Sequence, residues 1–370
     1  MEKFSFELAQ IKSRLSSGNH LRQFDQLIQK LSSQPIILYG YGEVGKDIAK
    51  FLISRNVQVE CFADTYKHGT AGLFGLPIIS PDELARSYKT ANIIITSDTY
   101  FNEICEQLIA LGLSEYQMSV NFSAFNTMIA DINEHEDGYA WAYEHFDDEL
   151  SKSIVLARLE QLASPLTLPF FNNIRSCSPQ YFENGIINLG VNEVFVDAGM
   201  FTGDTAQILM NLTKDKHLKY YGFEPDSKNF AKATDKLLNI NNVELSQMAL
   251  WDSVMQLNFA QGLEGSSKVM EDSLEFVQAT SLDVYFKDKQ PPTFIKMDIE
   301  GAEKQALIGA KDIISKNCAK LAICVYHKPE DIYELPQIMK LYSNKYRFFL
   351  RHYTNHNGET VMYALVDGGN

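Results

Sequence analysis

The sequence predicts an α/β protein with two Rossmann-like domains, the second holding a seven-stranded sheet that ends in an antiparallel hairpin. Three observations predict it. Residues 194–205 read as strand, tight turn and helix start: an apolar, β-branched run ends in Asp197, then come Gly199 and Gly203 and a helical pattern over 206–212. Gly40, Gly42 and Gly45 form a G-x-G-x-x-G between an apolar run at 35–39 and a helical pattern at 46–54. After Glu193, strand and helix patterns alternate, and the last two strands flank a polar turn, Asn355-His356-Asn357-Gly358.

At 370 residues the chain is too long for one typical core, so more than one domain is expected. A net charge of −14 speaks against a nucleic-acid surface or an anionic membrane as partner, while leaving room for a local basic pocket. No apolar run reaches bilayer-spanning length. Met1-Glu2-Lys3-Phe4 lacks the basic start and apolar stretch of a secretory signal. The five cysteines (Cys61, Cys105, Cys177, Cys318 and Cys324) have no metal-ligand spacing, so they read as free thiols in a reducing cytoplasm.

In order, residues 1–33 read as a helical appendage, with Phe4, Leu8, Ile11 and Leu15 at helical spacing. Residues 34–116 read as a small nucleotide-binding domain. Its first strand feeds the glycine turn, its second (57–63) ends at Asp64, and Ser80-Pro81 opens a helix. Residues 117–185 read as a mostly helical linker whose two acidic stretches, 134–138 and 144–148, suit a solvated helix face. Residues 186–370 form the second domain, with strands at 194–197, 219–223, 243–247, 293–298, 320–326, 346–351 and 360–366, the last inserted antiparallel.

Open α/β sheets bind ligands at the carboxyl ends of their strands, which puts Asp197 at a ligand edge. Gly199 is expected to let the backbone approach a ligand. Gly203 and Asp204 open a helix whose unpaired N–H groups can face a polar ligand group. Glu224 ends the next strand, placed to accept hydrogen bonds from both hydroxyls of a ribose. Phe201 occupies the middle glycine position of the dinucleotide fingerprint, which argues against a pyrophosphate on this loop. A ligand with a ribose and no phosphate fits better, and S-adenosylmethionine is such a ligand.

These residues resemble the FkbM-type methyltransferases. The matching pieces are Phe195-Val196-Asp197-Ala198-Gly199 with Thr202-Gly203-Asp204-Thr205, Phe223-Glu224-Pro225-Asp226, and Ile295-Lys296-Met297-Asp298-Ile299-Glu300-Gly301-Ala302-Glu303. They continue with Ile323-Cys324-Val325-Tyr326-His327, Arg351-His352-Tyr353 and Glu359-Thr360-Val361, and Gln180-Tyr181-Phe182 leads in. The resemblance covers the C-terminal half and implies a class I methyltransferase sheet and S-adenosylmethionine-dependent methylation of hydroxyls on sugars or other small metabolites. It also implies adenine contacts at Ala249, Leu250 and Trp251. More weakly, Gly40, Gly42, Gly45 and Asp64 resemble the small Rossmann domain of nucleotide-sugar-modifying enzymes.

Methyl transfer needs positioning and, for a hydroxyl, a base. Asp298 ends the fourth strand and could orient the cofactor, act as base or bind a metal. Orienting the cofactor or the hydroxyl suits it better, because a nearby sulfonium makes its carboxylate a poorer base. His327 ends the fifth and is the expected neutral general base, with Tyr326 and Lys328 diverging from its pocket. Lys296, in a buried strand, must reach a carboxylate or the surface. Arg351 and His352 are candidates for an anionic part of the acceptor, and no metal is expected. The expected partner is a small-molecule or glycan acceptor, free or nucleotide-linked, and a homo-oligomer stays open. The competing functions are a nucleotide-sugar oxidoreductase or epimerase run by the first domain, and a non-catalytic ligand-binding scaffold.

Overall fold

A computed structural model describes residues 2–16, 29, 32–70, 73–97, 100–114, 118–120, 128–162, 174–213, 218–260, 268–269, 276–354 and 358–366. The architecture is mixed α/β. The first sheet has six strands: β1 (Ile36–Tyr39), β2 (Val59–Ala63), β3 (Gly69–Thr70), β4 (Pro77–Ile79), β5 (Asn92–Ile95) and β6 (Met118–Val120), in the order β3-β4-β2-β1-β5-β6. Every pairing except β3 with β4 is parallel. A parallel sheet must be covered on both faces, so β1 is apolar and buried throughout. One face packs Ile37, Tyr39 and Ile93 against Phe101, Ile104 and Leu108. The other packs Leu38, Phe62 and Ile94 against Ile48 and Leu52 of helix Glu43–Ser54. Ser80 caps helix Pro81–Ser87 as the sequence predicts, its Oγ accepting the Glu83 N–H at 3.2 Å.

The chain continues through β7 (Val194–Ala198), β8 (Lys219–Phe223), β9 (Val243–Ser246), β10 (Ala249–Leu250), β11 (Met255–Ala260), β12 (Lys268–Val269), β13 (Phe276–Thr280), β14 (Phe294–Met297), β15 (Lys320–Cys324), β16 (Tyr346–His352) and β17 (Thr360–Val366). Seven of these form the largest sheet, in the order β16-β17-β15-β14-β7-β8-β9. β17 lies antiparallel between β15 and β16, so the predicted insertion of the last strand is met. The expected turn at 355–357 lies outside the described residues.

The remaining four strands form a separate sheet, β10-β13-β11-β12, which the sequence reading did not contain. Its signal is the alternation Gln256-Leu257-Asn258-Phe259, which buries Leu257 and Phe259 against Val277 and Ala279. Two short alternating stretches between strong strand-helix units are easily read as loop.

Helices Glu2–Ser16, Met128–His145 and Glu149–Leu162 contribute Phe4, Leu8, Tyr139, Val155 and Leu159 to the main core of the seven-stranded sheet, with Phe146 just after the second helix. The chain beside them also covers the open edge of β16. The Asp147 N–H donates to Phe348 O at 2.9 Å and the Ser176 N–H to His352 O at 2.8 Å, which blunts an edge otherwise free to pair with another chain.

The acidic stretches at 134–138 and 144–148 are therefore not simply solvated. Lys12 pairs with Glu136, His135 Nδ1 lies 2.6 Å from the Tyr333 hydroxyl, and Asp147 pairs with Arg347. Arg351 and His352 are likewise committed inside the fold. Arg351 bonds Asp148 at 2.7 Å, and His352, wholly buried, bonds Thr360 Oγ1 at 2.8 Å, so neither is placed to meet an acceptor. No helix among the described residues is long and apolar enough to cross a membrane.

Candidate functional site

The seven-stranded sheet is built outward in two directions, β7 to β9 one way and β14 to β15 the other. The reversal leaves a crevice at the carboxyl ends of β7 and β14. Two loops meet there. Gly199 has φ +73°, and a Cβ on it would overlap the backbone carbonyl oxygen of Asp298. The glycine is thus required by the second loop, which corrects the expectation that ligand approach requires it. Gly199→Ala should cost roughly 2–4 kcal/mol, summing a left-handed backbone penalty and overpacking against rigid main chain. Thermal melting checks this, and an unchanged midpoint would mean that the two loops do not abut.

Gly203 has φ +81° and donates its N–H to Met200 O at 2.8 Å, while exposed Asp204 begins helix Asp204–Thr213.

Asp197 is 0% exposed, so the expected direct hold on the methionine end of a cofactor is not what the geometry offers. Its Oδ1 lies 2.9 Å from Lys296 Nζ, and its Oδ2 accepts the Tyr220 hydroxyl at 2.7 Å. Lys296 reaches a carboxylate, as its place in a buried strand demanded. Burial alone would lower its pKa, but Asp197 and Asp298 outweigh that and hold it above the usual lysine range. The ammonium also donates to Ala198 O at 3.2 Å and Gly199 O at 2.5 Å. Asp197 therefore acts on the glycine loop through Lys296.

Glu224 leaves β8 beside this loop. Its Oε2 accepts the Phe201 N–H at 3.0 Å and its Oε1 the Asp226 N–H at 2.9 Å. Burial pushes its pKa up to about 7 in spite of those two donors. Its own N–H donates to Ser246 O at 3.2 Å, so the chain running on to Ala249 and Leu250 starts beside it. These two residues form β10. The Trp251 N–H donates to Thr280 O at 2.9 Å, and the indole packs on the core of the small sheet.

Asp298 sits where β14 ends, its N–H donating to Ala198 O at 3.1 Å. Its carboxylate accepts the Tyr181 hydroxyl at 2.7 Å and the Tyr326 hydroxyl at 3.2 Å. Burial would raise its pKa, but Lys296, His327 and Tyr181 hold it below the usual carboxylate range. The Tyr326 hydroxyl also reaches Glu359 at 3.4 Å, and Gln180 donates to Glu359. Burial, with Asp298 second, pushes Glu359 up to about 7.

His327 is not the neutral base expected of it. Its Nδ1 lies 3.0 Å from Glu303 Oε1, and its Nε2 lies 3.4 Å from Asp298 Oδ1 and 3.7 Å from Glu300 Oε2. Burial would lower its pKa, but those carboxylates, Glu303 foremost, raise it to about 9. The surrounding carboxylates thus favour its charged form.

Four residues of this pocket had no assigned role in the sequence reading. Tyr181 and Glu359 lie in segments that carried the family resemblance. Glu303 closes another of those segments and is wholly buried. Tyr326 was expected to diverge from His327, yet its hydroxyl joins the same carboxylate and its ring lies 4.2 Å from the imidazole.

In the first sheet, Gly40 has φ +116° and a Cβ on Gly45 would overlap the Gly40 carbonyl oxygen. A Cβ on Gly42 would meet nothing within 4 Å. Asp64 accepts the Tyr41 N–H at 2.9 Å, the Tyr66 N–H at 2.8 Å and the Lys67 N–H at 3.0 Å. It ties the glycine turn to the loop after β2, and a ribose at Asp64 would compete with these three donors.

Comparison with known proteins follows the same division. Residues 32–119 match the family described as C2185-like, N-terminal, and residues 197–348 match the methyltransferase FkbM domain. None of the curated proteins compared with the chain matches it. Among solved structures, the chain is similar to the methyltransferase FkbM from Methylobacillus flagellatus KT. That match has 21% identity and a TM-score of 0.65, covering 97% of this chain and 100% of that one. A partial likeness links it to Aeropyrum pernix fibrillarin in complex with natively bound S-adenosyl-L-methionine, at 11% identity and a TM-score of 0.31, covering 49% of this chain and 70% of that one. The C-terminal half carries an FkbM methyltransferase domain.

Proposed function

We propose that the chain is an S-adenosylmethionine-dependent O-methyltransferase acting on a hydroxyl of a sugar, a glycan precursor or a related small metabolite. The observation that carries this reading is Glu224. A buried carboxylate with a pKa raised to about 7 is short of hydrogen bonds, and each of its oxygens accepts a single backbone N–H. Two ribose hydroxyls would supply the missing donors.

When bound, the cofactor supplies an activated methyl group. The chain's own residues do the rest. Glu224 holds the ribose. The Gly199–Gly203 loop, fixed by Lys296, shapes the methionine end, and 249–251 line the adenine. Asp298, steadied by Tyr181 and Tyr326, orients the acceptor hydroxyl and takes its proton as the methyl group arrives. In this reading residues 186–370 are the catalytic domain. Residues 34–116 are a small Rossmann-like domain that receives the nucleotide portion of the acceptor at Gly40–Gly45, and 1–33 and 117–185 are the appendage and linker. Free thiols and an acidic surface suit a cytoplasmic setting.

Full-length protein incubated with methyl-labelled S-adenosylmethionine should label a member of a panel of nucleotide-sugars and free glycans. Gly42→Asp tests the first domain separately, since its side chain enters open space but sets a carboxylate against a phosphate. It should weaken nucleotide-sugar binding about tenfold or more and leave cofactor affinity unchanged. Label transfer to no acceptor by cofactor-saturated protein would defeat the methyl-transfer reading. Equal nucleotide-sugar affinity of the variant would make the first domain architectural.

A further inference from the structure

We propose that Asp298, Glu303 and His327 form a divalent-cation site at the crevice. One ligand atom from each of the three lies within 4.8 Å of the others, the span that a single small cation can bridge after slight contraction. They come from separate places in the chain: just past the end of β14, the first turn of helix Glu303–Ile308, and the segment after β15. This is the arrangement that oxygen-rich cation sites use.

The observation that singles out a ligand, beyond a cluster of acids, is the state of the buried atoms. Glu303 is 0% exposed. Its Oε1 accepts the Ile299 N–H at 2.9 Å, and its Oε2 is buried with no hydrogen-bond partner. An unpartnered carboxylate oxygen in a closed interior is costly unless something positive meets it. The His327 side chain is nine-tenths buried, and neither of its ring nitrogens has an aligned hydrogen bond. Nδ1 faces Glu303 and Nε2 faces Asp298 and Glu300, at 3.0 to 3.7 Å, and one ion would take one of the two nitrogens. Separations of 3.4 Å between Asp298 Oδ1 and the imidazole Nε2 are near those of adjacent ligands on one ion.

Glu300 adds a third carboxylate at the rim. Asp331, whose Oδ2 accepts the Lys328 N–H at 2.9 Å, lies near enough that burial, with Glu303 second, pushes its pKa up to about 7. Lys296 is already matched by Asp197, and the His327 proton, which a bound ion would displace, offsets only one of the carboxylates Asp298, Glu300 and Glu303, so the pocket keeps a negative excess that a dication would offset.

An imidazole among carboxylates suits a first-row transition ion better than Ca²⁺ or Mg²⁺, which prefer all-oxygen shells. Mn²⁺ is therefore the probe. The site itself does not depend on the proposed function. Its role does: where methyl transfer holds, an ion beside Asp298 would bind the acceptor hydroxyl and lower its pKa.

The test titrates metal-stripped, full-length protein with Mn²⁺ and follows loss of the free-ion paramagnetic resonance signal, with Zn²⁺ and Mg²⁺ as competitors. One ion should bind per chain, displaced by Zn²⁺ more readily than by Mg²⁺. Glu303→Gln and Asp298→Asn should each weaken it about tenfold or more. Asp298 is partly exposed, so its variant serves if the buried Glu303 variant fails to fold. No depletion of free Mn²⁺ with wild-type protein in excess overturns the proposal, and so does equal affinity in a folded variant. Calorimetry with S-adenosylmethionine on the same preparation separates the two readings. Cofactor binding without Mn²⁺ binding removes only the ion site, and Mn²⁺ binding without cofactor binding removes only the proposed function.

Discussion

Glu224→Ala should lower S-adenosylmethionine affinity by two to four orders of magnitude. Two charge-assisted hydrogen bonds to the ribose are lost, each worth about 1.5–3 kcal/mol. The same substitution also strips the Phe201 and Asp226 N–H groups of their acceptor, so a cost in stability accompanies the loss of binding. Glu224→Gln separates the effects, because its amide oxygen keeps one acceptor while the charge is gone. It should bind the cofactor more weakly than wild type yet melt closer to it than the alanine variant does.

The raised pKa gives this prediction a pH signature. A carboxyl group whose folded pKa lies near 7, above its unfolded value near 4.5, favours the fold in its protonated form. Its contribution to the stability of the cofactor-free protein is full below about 4.5 and is lost as pH rises through about 7. Cofactor binding needs the carboxylate, so affinity should climb over the same window. The charged groups that act on Glu224 are Asp226, which favours the protonated form, and Lys296, which favours the charged one. Calorimetric titrations from pH 5.5 to 8 check it. A flat affinity profile in wild type, or unchanged affinity in the alanine variant, would remove Glu224 from the cofactor site.

The parts of this molecule legible in its sequence are those set by local pattern. Apolar runs such as Phe294–Met297 and Lys320–Cys324 announce buried parallel strands, and the reading placed all seven strands of the main sheet within two residues of their ends. Glycine positions were also legible, but not what they touch. Nothing local to Gly199 says that its close neighbour is the carbonyl of a residue ninety-nine positions on. The electrostatics of the pocket fail for the same reason. His327 reads as a neutral base until Asp298, Glu300 and Glu303 are brought around it, and Tyr181 joins Asp298 across 117 positions. Alternation of side chains predicts that Tyr326 leaves the pocket of His327. β15 ends at Cys324, so that strand rule no longer governs either residue.

The largest stability effect should come from Lys296→Met. Lys296 is 2% exposed and Asp197 0%, and each is the other's counter-charge. Removing the ammonium strands a carboxylate in the sheet's interior with only the Tyr220 hydroxyl to meet it. Breaking a buried pair from one side costs about 3–5 kcal/mol. For a domain of this size that is a fall in melting temperature of roughly 10 °C.

The double variant Asp197→Asn with Lys296→Met should recover much of that loss. It removes the stranded charge while leaving an amide oxygen for Tyr220, and residues in direct contact are expected to couple in this way. Cofactor affinity should not recover with it. The Lys296 bonds to Ala198 O and Gly199 O, which fix the glycine loop, are absent in both variants. A double variant as stable as wild type but with weakened cofactor binding would show that the pair's part in the site is to hold the loop. If the single variant melts within about 2 °C of wild type, the charge has found water or another cation, and the ion pair is not what closes this interior.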